Sequence, residues 1–325
     1  MTKRVSLKEV AEHAEVSVPT ASRVLSGVDR NVDTALAERV RTSADALGYR
    51  VNAAARALRR QSTDTLALLV PGIANPYFAE LVAAYSQRLA EEGRSLVTID
   101  TNEDVAFEAV QLRNLDRGLV DAVLVVPVST SESGTAIREL QRTRPIVQVD
   151  RTADGVDASS VGLDNAAGVG LLVDHLRSTG RRRIVLVDAQ HGSSAGRERL
   201  ASFRAIAGPD DWVIEMPSFT LSSGIDAAHR LLDDRRGADA VICAADVIAI
   251  GMLTALQQAG KRVPEDIAIT GFDGTSLANV VEPGLTTLTS RADDIVQESL
   301  QLIDSPTVTV ALKPSLDARG STLRR

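Results

Sequence analysis

A chain of 325 residues exceeds the roughly 100 to 200 residues of a typical domain, so at least two folded units are expected. With 44% hydrophobic and 24% charged residues, wholesale disorder and fibrous repeats are excluded, and only 3% aromatics means a core of Ala, Val, Leu and Ile, as in helix-covered parallel sheets. The net charge of −7 is uneven: residues 1–60 hold eleven Lys and Arg against seven Asp and Glu, a net +4, which leaves −11 for the rest. A basic head on an acidic body points to a polyanionic partner for the head alone. The single cysteine, Cys243, excludes an internal disulfide framework. Met1–Ser6 leads into a charged amphipathic segment rather than an apolar signal core, and no run reaches the length of a membrane span, so a cytoplasmic protein without membrane association is expected.

The head reads as short helices. Leu7, Val10, Ala11 and Ala14 have the spacing of a helix with one buried face, and Ser6 with Glu9 three residues on forms a capping box. After Glu15-Val16, Ser17 is placed to cap a second helix from Val18 to about Leu25, with Pro19 tolerated in its first turn. A third runs from about Asp33 to Leu47 and stops at Gly48. Asn52–Arg60 suits a fourth helix capped by Asn52, too short to be stable alone.

From Thr65 onward, strand-length apolar runs alternate with amphipathic helices: Leu66–Val70, Leu96–Ile99, Ala122–Val126, Ile146–Val149, Ile184–Val187, Val213–Met216, Ala240–Cys243 and Ile267–Thr270. This is a series of βαβ units, more than one sheet takes comfortably, and it divides into two lobes near 157–162. The chain is expected to return to the first lobe through Leu285–Thr289 and a helix over Ile295–Leu302.

Two helices across a tight turn are the layout of a helix-turn-helix, whose second helix reaches base edges in the major groove. Arg23 suits bidentate reading of guanine, and Ser17, Thr20 and Ser22 suit phosphate or base contacts. The same spacing also fits an ordinary helical hairpin with a solvated Arg. Leu58, flanked by arginines, fits either a wedge in a minor-groove step or the packing contact of a linker helix.

Other signals are weak. Gly168-Val169-Gly170 lies inside a helix and opens no phosphate loop, and Gly192–Gly196 lacks the spacing and partner base of a nucleophile elbow. His13, His175, His191 and His229 are scattered, so neither a metal site nor a cofactor is expected, and no catalytic constellation marks an enzyme. Arg181-Arg182-Arg183 reads as a solvated edge.

Val5–Ala14, Val16-Ser17, Thr20–Ser26, Leu47–Asn52 and Ala55–Leu58 together resemble the DNA-binding head and hinge of the LacI/GalR family. The resemblance continues through Asn75–Phe78, Val149–Arg151, Gly196–Phe203, Ala245-Asp246, Gly271–Asp273 and Leu285–Leu288, and so covers nearly the whole chain. It implies an α/β protein with an all-α helix-turn-helix head and a two-lobed, periplasmic-binding-protein-like body with parallel sheets. The boundaries implied are 1–50 for the head, 51–62 for the hinge and linker, and 63–325 for the effector-binding and dimerisation domain. Within the last, one lobe covers about 63–158 and 290–325 and the other about 159–289.

Residue by residue, the resemblance gives Val18, Pro19 and Arg23 base-reading positions, and places Asn52, Ala55 and the inserted Leu58 in the hinge. It assigns effector contact to Tyr77, Phe78, Asp150, Arg199, Phe219, Asp246 and Asp273, of which Tyr77, Phe78, Asp150, Asp246 and Asp273 end or follow strands, where parallel sheets bind ligands. Asp, Arg and aromatic side chains together suit a polyhydroxylated ligand. Each also has a plainer reading: Tyr77 and Phe78 as helix-start core, Arg197 or Arg199 in an inter-lobe ion pair, Asp246 as a helix cap. Two departures stand out, Glu15 where Gly is common in the turn and Ala245 where Asn is common before Asp246.

The function expected is that of a homodimeric transcriptional regulator, a repressor, on a pseudo-palindromic double-stranded DNA operator. Its control falls to a small-molecule effector, a sugar or sugar derivative, with a purine or nucleoside as the alternative. A solute-binding or enzymatic α/β protein with an incidental head is the remaining reading.

Overall fold

The computed structural model describes residues 5–25, 32–49, 62–118, 120–189, 192–289 and 292–323. The chain divides into two compact units between Asp64 and Thr65. The expected hinge segment, with Asn52, Ala55 and Leu58, lies outside the described residues.

The first unit holds helices α1 (Leu7–His13), α2 (Val18–Leu25) and α3 (Thr34–Ala46). At 7, 8 and 13 residues they are too short to persist alone, so packing must hold them. A core of small side chains, Ala11, Ala14, Ala21, Val24, Ala37 and Val40, lets the three approach closely. Local signals set their ends: the Ser6–Glu9 capping box starts α1, and the Asp33 carboxylate accepts from Ala35 and Leu36 N–H to start α3. Gly48, at φ +64°, ends it. Arg39 Nε donates to the Ala14 carbonyl at 2.9 Å, satisfying an orphan acceptor at the end of α1, and His13 Nδ1 meets Ser43 Oγ at 3.0 Å.

The second unit contains two parallel sheets. The first has strands β1 (Thr65–Val70), β2 (Ser95–Asp100), β3 (Ala122–Val125), β4 (Ile146–Val149), β5 (Ser159–Leu163) and β11 (Thr309–Leu312), in the order β11-β5-β4-β3-β1-β2. Helices α4 (Pro76–Glu91), α5 (Val105–Leu115), α6 (Gly134–Gln141) and α11 (Ala292–Leu302) belong to this lobe. Leu66, Leu68 and Val70 face one core and Ala67 and Leu69 the other, so both faces of the sheet are buried. Each fully buried Leu there contributes about 1.5–3 kcal/mol relative to exposure.

The second sheet has β6 (Ile184–Ala189), β7 (Trp212–Met216), β8 (Ala240–Cys243) and β9 (Ala268–Thr270), in the order β7-β6-β8-β9. Around it lie α7 (Asn165–Ser178), α8 (Ser194–Ile206), α9 (Leu221–Asp233), α10 (Asp246–Gln258) and a 3₁₀ turn at Ser276–Asn279. A small antiparallel pair, β10 (Thr287–Thr289) with β12 (Ser315–Asp317), completes this lobe.

The lobe boundaries differ from the sequence reading in two places. Residues 159–163 were expected to open the second lobe, but β5 pairs with β4 and β11 in the first sheet, so the crossing falls after Leu163. Residues 290–325 were expected to belong wholly to the first lobe, yet only α11 and β11 do. Beyond β11 the chain crosses back: Leu316 packs in the second core, and Ser321 Oγ donates to the Ile269 carbonyl at 2.6 Å. Ser159, Ser160 and Gly162 give β5 no strand signature, and its pairing with residues about 150 positions later is invisible to local pattern.

The arginine run is also not uniformly solvated. Arg181 is buried and its guanidinium donates to the carbonyls of Asp239 and Pro264, tying the start of β6 to the loop before β9. Gly168 proves to be a packing glycine: a Cβ there would sit 2.8 Å from Leu288 and 3.0 Å from Phe272. No helix among the described residues is long and apolar enough to cross a membrane.

Candidate functional site

The outward face of α2 is the first site. Ser17 Oγ accepts from Thr20 N–H at 3.2 Å and meets Thr20 Oγ1 at 2.8 Å, so these two hydroxyls fix the start of the helix. Ala21 and Val24 turn inward to the core. At about 100° per residue, Val18, Pro19, Ser22 and Arg23 then share an arc of roughly 140° on the other side. Val18, Pro19 and Arg23 are exposed, while Thr20 and Ser22 are half-buried. An exposed Val beside Pro supplies apolar contact without side-chain hydrogen bonds, and Arg23 supplies forked donors, a pairing suited to thymine methyls and guanine edges. The turn before α2 is left-handed at Glu15, φ +53°, the conformation for which Gly would be the usual residue; the strain costs on the order of 1 kcal/mol.

The second site lies between the lobes, at the carboxyl ends of the strands. Asn75 caps α4 by accepting from Tyr77 N–H, and Pro76 takes the first turn, which sets Tyr77 and Phe78 at the edge of the cleft. After β4 the backbone makes a tight turn, Arg151 N–H to Val149 carbonyl at 2.6 Å, with Asp150 held at φ +62°. This strained turn aims both Asp150 and Arg151 inward. Tyr77 Oη donates to Asp150 Oδ1 at 3.1 Å.

From the opposite lobe, Arg199 on α8 donates to Asn165 Oδ1 at 2.8 Å and to the Ala244 carbonyl at 2.5 Å, with its guanidinium 3.8 Å from the Phe272 ring centre. Phe219 and Asp273 close the wall. Six of the seven expected effector residues, Tyr77, Phe78, Asp150, Arg199, Phe219 and Asp273, therefore converge on one small cavity, together with Asn75, Arg151, Ala195 and Ala245.

The seventh does not. Asp246 is fully buried and lines no part of that cavity. Its Oδ1 accepts from Phe272 N, Asp273 N and Thr287 Oγ1, and its Oδ2 from Thr275 N and Thr275 Oγ1. Five donors saturate a carboxylate that offers about four lone-pair sites, so none remains for a ligand. It is not a helix cap either, since the bonds go to the 272–275 loop and to β10 rather than to its own helix. Asp246 fastens the wall that carries Asp273, and Asp273 Oδ2 returns a bond from Asp246 N–H at 3.1 Å.

Arg151 is the residue that sequence reading passed over. It is 4% exposed, lies 5.4 Å from the Phe78 ring centre and 5.8 Å from that of Phe219, and its Nε and Nη1 have no hydrogen-bond partner. Its position directly after Asp150 at a strand end was the available signal; its burial was not.

The lobes meet tightly. Thr130 N–H donates to the Gly192 carbonyl at 2.7 Å, Thr152 N–H to Ser194 Oγ at 2.8 Å, and Ser276 gives both N–H and Oγ to Glu80 Oε1 at 2.9 and 2.7 Å. Arg197, not Arg199, makes the inter-lobe ion pair, with Asp154 at 3.7 Å. The cavity is left at about 20 Å³, against the several hundred Å³ usual for a ligand pocket, so a ligand enters only when the lobes part. A larger cavity of about 430 Å³ adjoins it and shares Asp150, but polar groups along it pair with one another, Ser160 with Thr309 and Asn165 with Glu198. The smaller cavity, where unpartnered donors and aromatic faces meet, is the chemically competent one.

Burial, and then the charge of Asp246, push the Asp273 carboxyl up to about 8 against the pull of Arg199. A carboxyl raised in the folded state favours folding fully below its unfolded value near 4 and loses that contribution as pH rises toward 8. Denaturation midpoints should therefore fall between pH 5 and pH 8, and Asp273→Asn, which retains an acceptor for Asp246 N–H, should flatten that slope. Parallel curves for the two proteins would place an ionised Asp273 in the cleft. Among the described residues, no group of three His, Cys, Asp or Glu is arranged to hold a metal ion.

Known proteins match the chain along nearly its whole length. Residues 6–52 match the model for bacterial regulatory proteins of the lacI family, and residues 173–322 match a periplasmic binding protein-like domain. The chain is 30% identical to the ribose operon repressor of Escherichia coli over 329 residues, covering 97% of this chain and 99% of that protein. It is 31% identical to the HTH-type transcriptional regulator CelR of Thermobifida fusca over 319 residues, covering 93% and 91%. The crystal structure of the lac repressor dimer bound to operator and the anti-inducer ONPF superposes with a TM-score of 0.87 at 26% identity, covering 99% of this chain and all of that one. With a helical head and a two-lobed α/β body matched end to end at this level, the chain belongs to the LacI/GalR family of DNA-binding transcriptional regulators controlled by a small-molecule effector.

Proposed function

We propose that this protein is a homodimeric repressor that grips a pseudo-palindromic operator through α2 and the 51–62 hinge, and that a sugar or sugar derivative bound between the lobes sets its grip. The observation that carries the DNA reading is the outward arc of Val18, Pro19, Ser22 and Arg23 on a short helix whose opposite side is buried. The cleft supports the effector reading through two aromatic walls, two guanidiniums and two carboxyls around one cavity. Relatives named for the ribose operon and a structure described as a CelR–cellobiose complex favour a saccharide over a purine.

The body also presents surfaces that suit a second copy. Strand β2 is a sheet edge with Val97 exposed, and α5 turns Phe107 and Val110 outward while burying Glu108. Around the 3₁₀ turn, Leu277 and Val280 are exposed, the latter 75%. Apolar side chains at an open sheet edge are what a covered interface provides for.

Lobe closure is the switch in this reading: an effector that must separate the lobes to enter alters the Thr130–Gly192, Thr152–Ser194 and Glu80–Ser276 contacts, and through them the two hinge segments. The test is selection of a preferred duplex from a random pool at moderate ionic strength, followed by titration of variants. Arg23→Ala should lose about 1–3 kcal/mol on the preferred duplex, and Leu58→Ala should weaken specific binding far more than binding to random duplex. No sequence preference in the wild-type protein, with or without sugars, would overturn the proposal.

A further inference from the structure

Arg151 keeps idle donors in a closed space. The guanidinium is 96% out of solvent, yet Nε and Nη1 donate to nothing. Its nearest carboxylate oxygen, Asp150 Oδ2, stands 3.7 Å from Nε, too far for a hydrogen bond, and the other oxygen of Asp150 is taken by Tyr77. Arg199, across the cavity, is held by neutral acceptors, the side-chain carbonyl of Asn165 and the backbone carbonyl of Ala244. The cavity walls thus carry two guanidiniums.

Facing them are the carboxyls of Asp150 and Asp273. Burial pushes the Asp273 carboxyl up to about 8, which weakens it as a counter-charge at neutral pH. A buried guanidinium with idle donors gains most from a ligand that delivers negative oxygen to it, because planar forked donors match carboxylate and phosphate oxygens. The Phe78 and Phe219 rings, each within 6 Å of the guanidinium, hold it in place.

We propose that the effector carries an anionic oxygen group, a carboxylate or a phosphate on a sugar-like body, and that Arg151 is the residue that receives it. This rests on the cleft being the effector site and adds the chemical class of the effector. Asp150, Tyr77 and Asp273 then serve the hydroxyls, and Arg151 discriminates acidic sugars from their neutral parents.

The test uses the full-length protein and calorimetric titration with matched probes: D-gluconate, D-glucuronate and ribose 5-phosphate against D-glucose and D-ribose, with inorganic phosphate alone as a control. At least one acidic sugar should bind at least tenfold more tightly than its neutral parent, and whether it is a sugar acid or the sugar phosphate identifies the anionic group. Arg151→Gln should weaken that ligand by about 30-fold or more, and Arg151→Lys should keep part of the affinity, with circular dichroism confirming that both variants are folded. A neutral parent that binds as tightly as its acidic partner, or an acidic ligand indifferent to Arg151→Gln, overturns the anion assignment and leaves the effector site standing. Failure of every probe, acidic and neutral, to bind wild type overturns both.

Discussion

Asp246→Ala is expected to destabilise the body by about 3–5 kcal/mol, because the substitution strands five donors in a site that water does not reach. Three of these are backbone N–H groups of the 272–275 loop, which cannot turn away without unmaking the wall of the cleft. The fit around the carboxylate is close: a Cβ at Gly271 would lie 1.9 Å from Asp246 Oδ1, so only glycine lets the loop pass there. Asp246→Asn keeps one acceptor oxygen and should fall between alanine and wild type. Equilibrium urea denaturation followed by circular dichroism measures the difference. If Asp246→Ala unfolds with the wild-type midpoint but no longer answers to an effector, the side chain touches ligand after all.

Gly251→Ala should cost about 3 kcal/mol, at the upper end of what an added methyl does to a packed interior, since the clash is with backbone. Helices α9 and α10 cross with their main chains nearly in contact: a Cβ at Gly251 would stand 2.1 Å from the Leu221 carbonyl oxygen, and one at Gly224 would stand 2.1 Å from that of Ile248. Neither oxygen belongs to a flexible side chain. The helices would have to part by an ångström or more, opening the core formed by Ala227, Ala228, Leu231, Ile248 and Met252. The double variant Gly224→Ala with Gly251→Ala should be less than additive, because the first substitution already separates the helices. Wild-type thermal stability in Gly251→Ala would mean that the two helices pack more loosely than their backbones indicate.

These two expectations have different origins in the sequence. Gly224 and Gly251 stand 27 positions apart in different helices, and nothing local shows that they face each other. Asp246 matched a family position for effector contact, yet the donors that occupy it come from residues 272, 273, 275 and 287, 26 to 41 positions along the chain. Arg151 was adjacent to an expected contact and was missed, because what distinguishes it is an unsatisfied donor in a closed space.

Local chemistry, by contrast, was open to reading from residue types alone. Ser6 with Glu9, Ser17 with Thr20, Asp33 and Gly48 act within three or four residues, which is the range over which helix ends are decided, and the head follows from them. The fully buried strands β1, β3, β6 and β8 were equally legible, since both faces of each must be apolar. Tertiary contact alone decided that the half-polar β5 joins the first sheet through β4 and β11, that the C-terminal stretch returns to the second lobe, and that two guanidiniums and two carboxyls meet around one cavity. The reason is one of range: capping and burial periodicity are written in neighbouring residues, whereas hydrogen-bond saturation and charge balance belong to groups that become neighbours only when the chain has folded.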